Sequence, residues 1–160
     1  MARTKKNHKK TSSKPRKSPA GKAHLLVVDD EVDFTRLIQK SLAPLGYRVD
    51  TATSATQAIA LQRKRSYDLA LVDMRMPEMT GLELLQYLKM RDKSIFVIIM
   101  TAYGSFSVGI ESLKLGACDY LAKPFTLAAL KQKTKEAIRR RAQLLEEQRV
   151  FFQKENLDEL

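Results

Sequence analysis

Four short apolar runs in this chain each stop at a side chain that carries a charge or a hydroxyl. Leu25-Leu26-Val27-Val28 ends in Asp29-Asp30, and Leu69-Ala70-Leu71-Val72 ends in Asp73. Ile95-Phe96-Val97-Ile98-Ile99-Met100 ends in Thr101, and a run closing near Ala122 ends in Lys123. Unbroken apolar runs of this length, rich in Val and Ile, suit strands covered on both faces. Met74-Arg75-Met76-Pro77 follows Asp73 at once and cannot continue a regular strand. If the runs are parallel neighbours, three carboxylates, a hydroxyl and an ammonium meet at one edge of one sheet.

The segments between the runs read as helices. Phe34, Leu37, Ile38 and Leu42 form a helical stripe from Val32 to Leu42, stopped by Pro44 and Gly46. Tyr47 to Ala52 reads as a second strand. Ser54 and Gln57, like Thr80 and Glu83, have the spacing of a capping box, in which two side chains satisfy free amides at a helix start. The helix after Ser54 fades by Lys64, and Leu82, Leu85 and Leu88 carry the next. The third strand spans Asp68 to Val72. Ser105 is placed to cap a fourth helix that ends at Gly116, and Thr126 to cap a long last one. Asp119 to Ala122 is a short fifth strand. Five strands alternating with five helices predict an α/β fold, a doubly wound five-stranded parallel sheet with helices on both faces. In such sheets, ligands bind outside the carboxyl ends of the strands, where Asp29, Asp30, Asp73, Thr101 and Lys123 all fall.

Composition narrows the class. The chain has 160 residues, no Trp and one Cys, Cys118, which excludes an internal disulfide and makes the reducing cytoplasm the expected setting. Cys118 reads as a small buried spacer. No apolar stretch is long enough to cross a bilayer, and His8 and His24 have no sequence neighbours suited to a zinc site. The net charge of +11 belongs to the first segment: residues 1–24 hold nine of the 29 Lys and Arg and no acid. Residues 1–23 are therefore expected to form a disordered basic tail, able to attract nucleic acid nonspecifically. Residues 24–140 are expected to form one domain, and 141–160 a C-terminal helical extension.

Clustered carboxylates in a partly buried cleft repel one another, and a cation relieves the repulsion. Oxygen-only ligands suit a hard ion, and an open site suits Mg²⁺. Asp30 and Asp73 are the expected direct ligands, with Asp29 acting through water and the Arg75 backbone carbonyl as a further oxygen. Asp73 can then serve as a nucleophile toward phosphorus, with Lys123 neutralising phosphoryl oxygens and Thr101 donating a hydrogen bond. Each residue alone also has an ordinary use: Asp29 and Asp30 at a helix start, Thr101 as a strand residue, Lys123 on the surface. Pro124, directly after Lys123, favours a tight fixed turn instead.

Leu26-Val-Val-Asp-Asp-Glu31, Leu71-Val-Asp-Met-Arg-Met-Pro-Glu-Met-Thr-Gly81, Ile98-Ile-Met-Thr-Ala102 and Asp119-Tyr-Leu-Ala-Lys-Pro-Phe125 together resemble the receiver domain of bacterial two-component response regulators. The resemblance implies a flavodoxin-like sheet of strand order 2-1-3-4-5. It implies that Asp73 accepts phosphate from the phosphohistidine of a sensor histidine kinase or phosphotransfer protein. It implies Mg²⁺ held by Asp29, Asp30 and Asp73, a Thr at 101 and a Lys at 123 in the phosphoryl site, and Tyr120 as an aromatic switch. Phosphate at Asp73 would draw Thr101 inward, Tyr120 would turn into the space, and the surface of the fourth helix, fifth strand and last helix would change. A domain of this kind is a signalling phosphoacceptor, catalysing only its own phosphoryl transfer and dephosphorylation.

Thr101-Ala-Tyr-Gly-Ser105 and Leu113-Lys-Leu-Gly-Ala-Cys-Asp-Tyr120 are most similar to the NtrC class of transcription regulators, which continue into an ATPase. This sequence holds no Gly-x-x-x-x-Gly-Lys loop. Ala137/Ile138, Leu144/Leu145 and Phe151/Phe152 instead recur every seven residues, a coiled-coil seam that predicts a parallel dimer. A phosphatase using Asp73 as nucleophile is the rival reading. The haloacid-dehalogenase pattern needs a second Asp two residues on, where this chain has Arg75. A nucleic-acid-binding protein is a third, but it lacks a recognition helix and interleaved aromatics.

Overall fold

A computed structural model describes residues 22–102 and 106–158. The elements run β1 (His24–Val28), α1 (Val32–Leu42), a 3-10 turn (Ala43–Leu45), β2 (Arg48–Ala52), α2 (Ala55–Lys64), β3 (Leu69–Asp73), α3 (Gly81–Arg91), β4 (Phe96–Thr101), α4 (Phe106–Lys114), β5 (Asp119–Ala122) and α5 (Leu127–Asp158). The five strands are all parallel, in the order β2-β1-β3-β4-β5. The sheet expected from the alternation of runs and helical stripes is the sheet observed.

Strand alternation divides the core in two. Leu26, Val28, Ala70, Val72, Val97 and Ile99 face Ala55 and Ala58 of α2 and Leu84, Leu85 and Leu88 of α3. Leu25, Val27, Leu69, Leu71, Ile98 and Met100 face Ile38 and Leu42 of α1 and Leu130 and Ala137 of α5. All of β1 from Leu25 on, and β3 through Val72, is fully buried, which is why these strands read as continuous apolar runs. Each such side chain contributes about 1.5–3 kcal/mol on burial.

Helix ends are set locally. Thr80 and Glu83 form the complete reciprocal capping box at α3. At α2, Ser54 accepts from the Gln57 amide, but the Gln57 side chain reaches the Thr53 amide instead of its own cap residue. Gly116, at φ +102°, closes α4: its amide donates to Leu113, and the Ala117 amide donates to Ser112, the paired bonds of a Schellman end. Tyr47, Asp68 and Ile95 fall outside the strands, and His24, Asp73 and Thr101 inside them, because pairing with a neighbour decides where a strand begins and ends. Ser105, the expected cap of α4, and residues 1–21 lie outside the described residues.

The last helix is one continuous element of 32 residues, roughly 48 Å long. Its packed stripe is Leu130, Thr134, Ala137 and Arg141. Arg141, the first residue of the expected extension, is buried. Its guanidinium donates to Asp68 Oδ1 at 2.7 Å and to the Ser94 carbonyl at 2.7 Å. Contact with the body of the domain thus reaches Arg141. His24 also proves to have a carboxylate neighbour, with Nε2 3.0 Å from Asp50, but no third metal-ligating group joins that pair among the described residues.

Candidate functional site

The parallel register brings the strand ends together. Asp73 pairs with Met100, and Thr101 pairs with Ala122, so Asp73, Thr101 and Lys123 leave adjacent strands at one level. The Lys123 amide donates to the Thr101 carbonyl at 2.7 Å, and the Asp29 amide to the Ala52 carbonyl at 3.2 Å, which holds the strand ends in line. One ligand oxygen from each of Asp29, Asp30 and Asp73 lies within 4.8 Å of the others. Asp29 is fully buried and Asp73 nearly so, while Asp30 is exposed. The capping alternative finds little support: Glu31 is the N-cap of α1 and makes no side-chain cap bond. Asp29 does accept from the Glu31 amide at 3.0 Å, which fixes its carboxylate.

Lys123 reaches into this group. Its ammonium lies 2.6 Å from Asp29 Oδ2 and 3.1 Å from Asp73 Oδ1. It also stands 4.3 Å from the centre of the Phe34 ring, which in turn packs against Phe125 at 5.8 Å. The Lys123–Pro124 peptide is cis. Burial alone would lower the lysine pKa, but hydrogen bonding and charge from Asp29, and then Asp73, outweigh it and raise the value. At Asp73, burial first and the Asp29 charge second raise the carboxyl above its usual range, against the pull of Lys123. One ammonium contacts two of the three carboxylates, Asp29 and Asp73, so uncompensated negative charge remains. An oxygen-only donor set with residual negative charge, one member open to solvent, fits a hard divalent cation.

Thr101 is buried at the end of β4. Arg75 is exposed, two residues past Asp73 in the bend after β3. Tyr120 lies three residues before Lys123, on β5, and packs on the α3-side core rather than in the acidic group. Two contributors were missed from sequence. Phe34 looked like one more apolar residue of a helical stripe. Gly81 appeared only within a motif, yet a Cβ there would overlap the Asp73 carbonyl oxygen, so only glycine lets α3 start so close to the end of β3. The Gly81 amide donates to the Met74 carbonyl at 2.8 Å, closing the loop behind Asp73.

The family model described as response regulator receiver domain matches residues 25–135. The chain belongs to the response regulator receiver family. It is 43% identical over 114 residues to the transcriptional regulatory protein ZraR of Klebsiella oxytoca, covering 71% of this chain and 26% of that protein. It is 38% identical to sporulation initiation phosphotransferase F of Bacillus subtilis, covering 70% of this chain and 90% of that one. Among solved structures, a response regulator receiver domain protein from Clostridium thermocellum is similar at TM-score 0.69 and 35% identity, over 76% of this chain and 98% of that one. NtrX from Brucella abortus is similar at TM-score 0.75 and 28% identity, over 78% of this chain and 29% of that one. With the response regulator protein PilR of Pseudomonas aeruginosa, 38% identical over 116 residues, ZraR and NtrX bear out the expected likeness of this receiver to the NtrC class. The receiver spans about a quarter of the length of the ZraR proteins that it matches.

Proposed function

We propose that this receiver takes a phosphoryl group from the phosphohistidine of a sensor histidine kinase, or of a phosphotransfer protein, onto Asp73. A carboxylate oxygen of Asp73 attacks phosphorus, the phosphorus–nitrogen bond breaks, and the imidazole keeps the electron pair and takes up a proton. Lys123 pairs with the phosphoryl oxygens, and Thr101 donates its hydroxyl to one of them. Asp30 and Asp73 would hold Mg²⁺ directly, with Asp29 acting through water and the Arg75 carbonyl as a further oxygen. When bound, the ion supplies neutralisation of charge on the transferring group. The observation that carries this reading is the Lys123 ammonium within reach of both Asp29 and Asp73, inside a group of three converging carboxylates.

The output follows from the same site. Thr101 moving toward the phosphoryl group frees space that Tyr120 can enter, and the α4-β5-α5 face changes. That face exposes Phe106, Ile110 and Leu113 along α4, one apolar stripe at helical spacing. Distal α5 exposes Leu144, Phe151 and Phe152. We assign these surfaces to a homodimer and an output partner, consistent with transcription regulation by the relatives named above. We assign the body to residues 24–140 together with Arg141, which packs on it, and the dimerising extension to the helix beyond Arg141. The basic tail, residues 1–23, adds nonspecific nucleic-acid attraction; a salt-dependent gel shift lost on deleting those residues is the expected sign. Among the described residues no helix is long and apolar enough to cross a membrane, and the cytoplasm is the proposed setting.

The test is incubation with acetyl phosphate, with Mg²⁺ or with a chelator, followed by intact mass measurement. One labile phosphoryl group should be gained with Mg²⁺, and none with chelator or in Asp73→Asn. Equal gain in Asp73→Asn would refute the assignment.

A further inference from the structure

Gly109 lies in the middle of α4, where glycine weakens a helix relative to alanine. It is buried and faces β5. A Cβ at this position would stand 2.7 Å from Cε1, 2.8 Å from Cζ and 2.9 Å from Cδ1 of Tyr120. Carbon atoms do not approach so closely, so no methyl fits between the helix and the ring. Three neighbouring ring carbons at nearly equal range mean that the ring lies along the helix backbone rather than touching it at one point. Ser112 is fully buried and donates its hydroxyl to the Gly109 carbonyl at 2.6 Å, so that carbonyl has a partner. The inward face of α4 is built from small residues at 109 and 112, while its bulky residues, Phe106, Ile110 and Leu113, are exposed.

We infer that Gly109 is the positioning residue for Tyr120. The missing side chain is the seat of the ring, and the ring cannot keep its place unless α4 presents a bare backbone there. The seat is a property of this chain's packing. Its meaning for signalling rests on the receiver reading above. A methyl at 109 must move the helix or the ring. The ring is the outer end of a side chain that turns about χ1, so swinging it outward is the easier response. Gly109→Ala should therefore bias Tyr120 away from α4 and weaken the link between Asp73 and the α4-β5-α5 face. Asp73 and Lys123 themselves stay untouched.

A double-mutant cycle in melting temperature tests the seat without any phosphodonor. In the Tyr120→Ala background, Gly109→Ala should raise Tm by roughly 3–6 °C, the ordinary gain of alanine over glycine in a helix. With Tyr120 present, that gain should shrink or reverse. An equal or larger gain with Tyr120 present would overturn the inference. A second readout is fluorine NMR of fluorotyrosine-labelled protein, with the Tyr120 resonance assigned by its loss in Tyr120→Phe. The resonance should move toward the solvent-exposed position in Gly109→Ala, and an unmoved resonance would also overturn the inference. With acetyl phosphate and Mg²⁺, Gly109→Ala should gain phosphate at the wild-type rate but lose the phosphorylation-induced shift of that resonance; a full shift would count against the seat. Failure of the wild-type protein to gain phosphate would sink the receiver reading instead, leaving the cycle to judge the seat.

Discussion

At Asp73, burial and the neighbouring Asp29 carboxylate hold the carboxyl above the usual range, and Lys123 offsets them only in part. A carboxyl with a higher pKa in the folded than in the unfolded state binds protons more tightly when folded. Its effect on stability is therefore unfavourable once pH has risen from the unfolded carboxylate range through the raised folded value. Asp73→Asn should raise Tm at neutral pH, and the gain should shrink as pH falls toward about 4, the ordinary carboxylate range; a thermal melt at several pH values measures it. Cys118 behaves oppositely to a reactive thiol: burial pushes its pKa up to about 11, so alkylation at pH 7 should be much slower than for a free thiol. Asp29, Asp73, Thr101 and Lys123 were legible in sequence because each ends an apolar run, and a run's end has one place in a parallel sheet. Gly81, Gly109 and Phe34 were not. Their roles lie in contacts with Asp73, Tyr120 and Lys123, which sequence spacing does not encode.

Between elements, the Arg141–Asp68 pair ties α5 to the start of β3, the strand whose other end bears Asp73. Both side chains are buried, and Asp68 also accepts from the His24 amide at 2.7 Å. Arg141→Ala would remove the guanidinium from a buried carboxylate. The expected loss is about 3–5 kcal/mol, read from urea unfolding; a loss under about 1 kcal/mol, the range of surface ion pairs, would show that the contact is dispensable. Nothing in the sequence separated Arg141 from Arg139 and Arg140, since the three stand together on a helix and only packing buries one. Element identities were legible from run length and helical spacing, whereas their ends shifted by a residue wherever pairing or a cap intervened, as at Tyr47, Asp73 and Ile95.

For the whole molecule, the two-sided core follows from apolar runs too continuous for a sheet with a wet face, whereas the strand order was implied by the family resemblance and not by the runs. Of the seam expected at Ala137/Ile138, Leu144/Leu145 and Phe151/Phe152, the first pair packs on the domain's own core and is taken up there, while the two later pairs are exposed or half-buried in the single chain. If the seam dimerises, Phe151→Ser with Phe152→Ser should shift the molecule toward monomer in sedimentation equilibrium while the fold, read by circular dichroism, stays intact. An unchanged mass would remove the helix from the interface. The proposed phosphotransfer comes down to one covalent event at one side chain. The most direct measurement is borohydride reduction after treatment with acetyl phosphate and Mg²⁺, which converts an acyl-phosphorylated aspartate to homoserine, followed by peptide mass mapping. Homoserine at position 73, abolished by omitting the phosphodonor, is the predicted result. Homoserine at another aspartate, or none in protein that has gained phosphate, would contradict it.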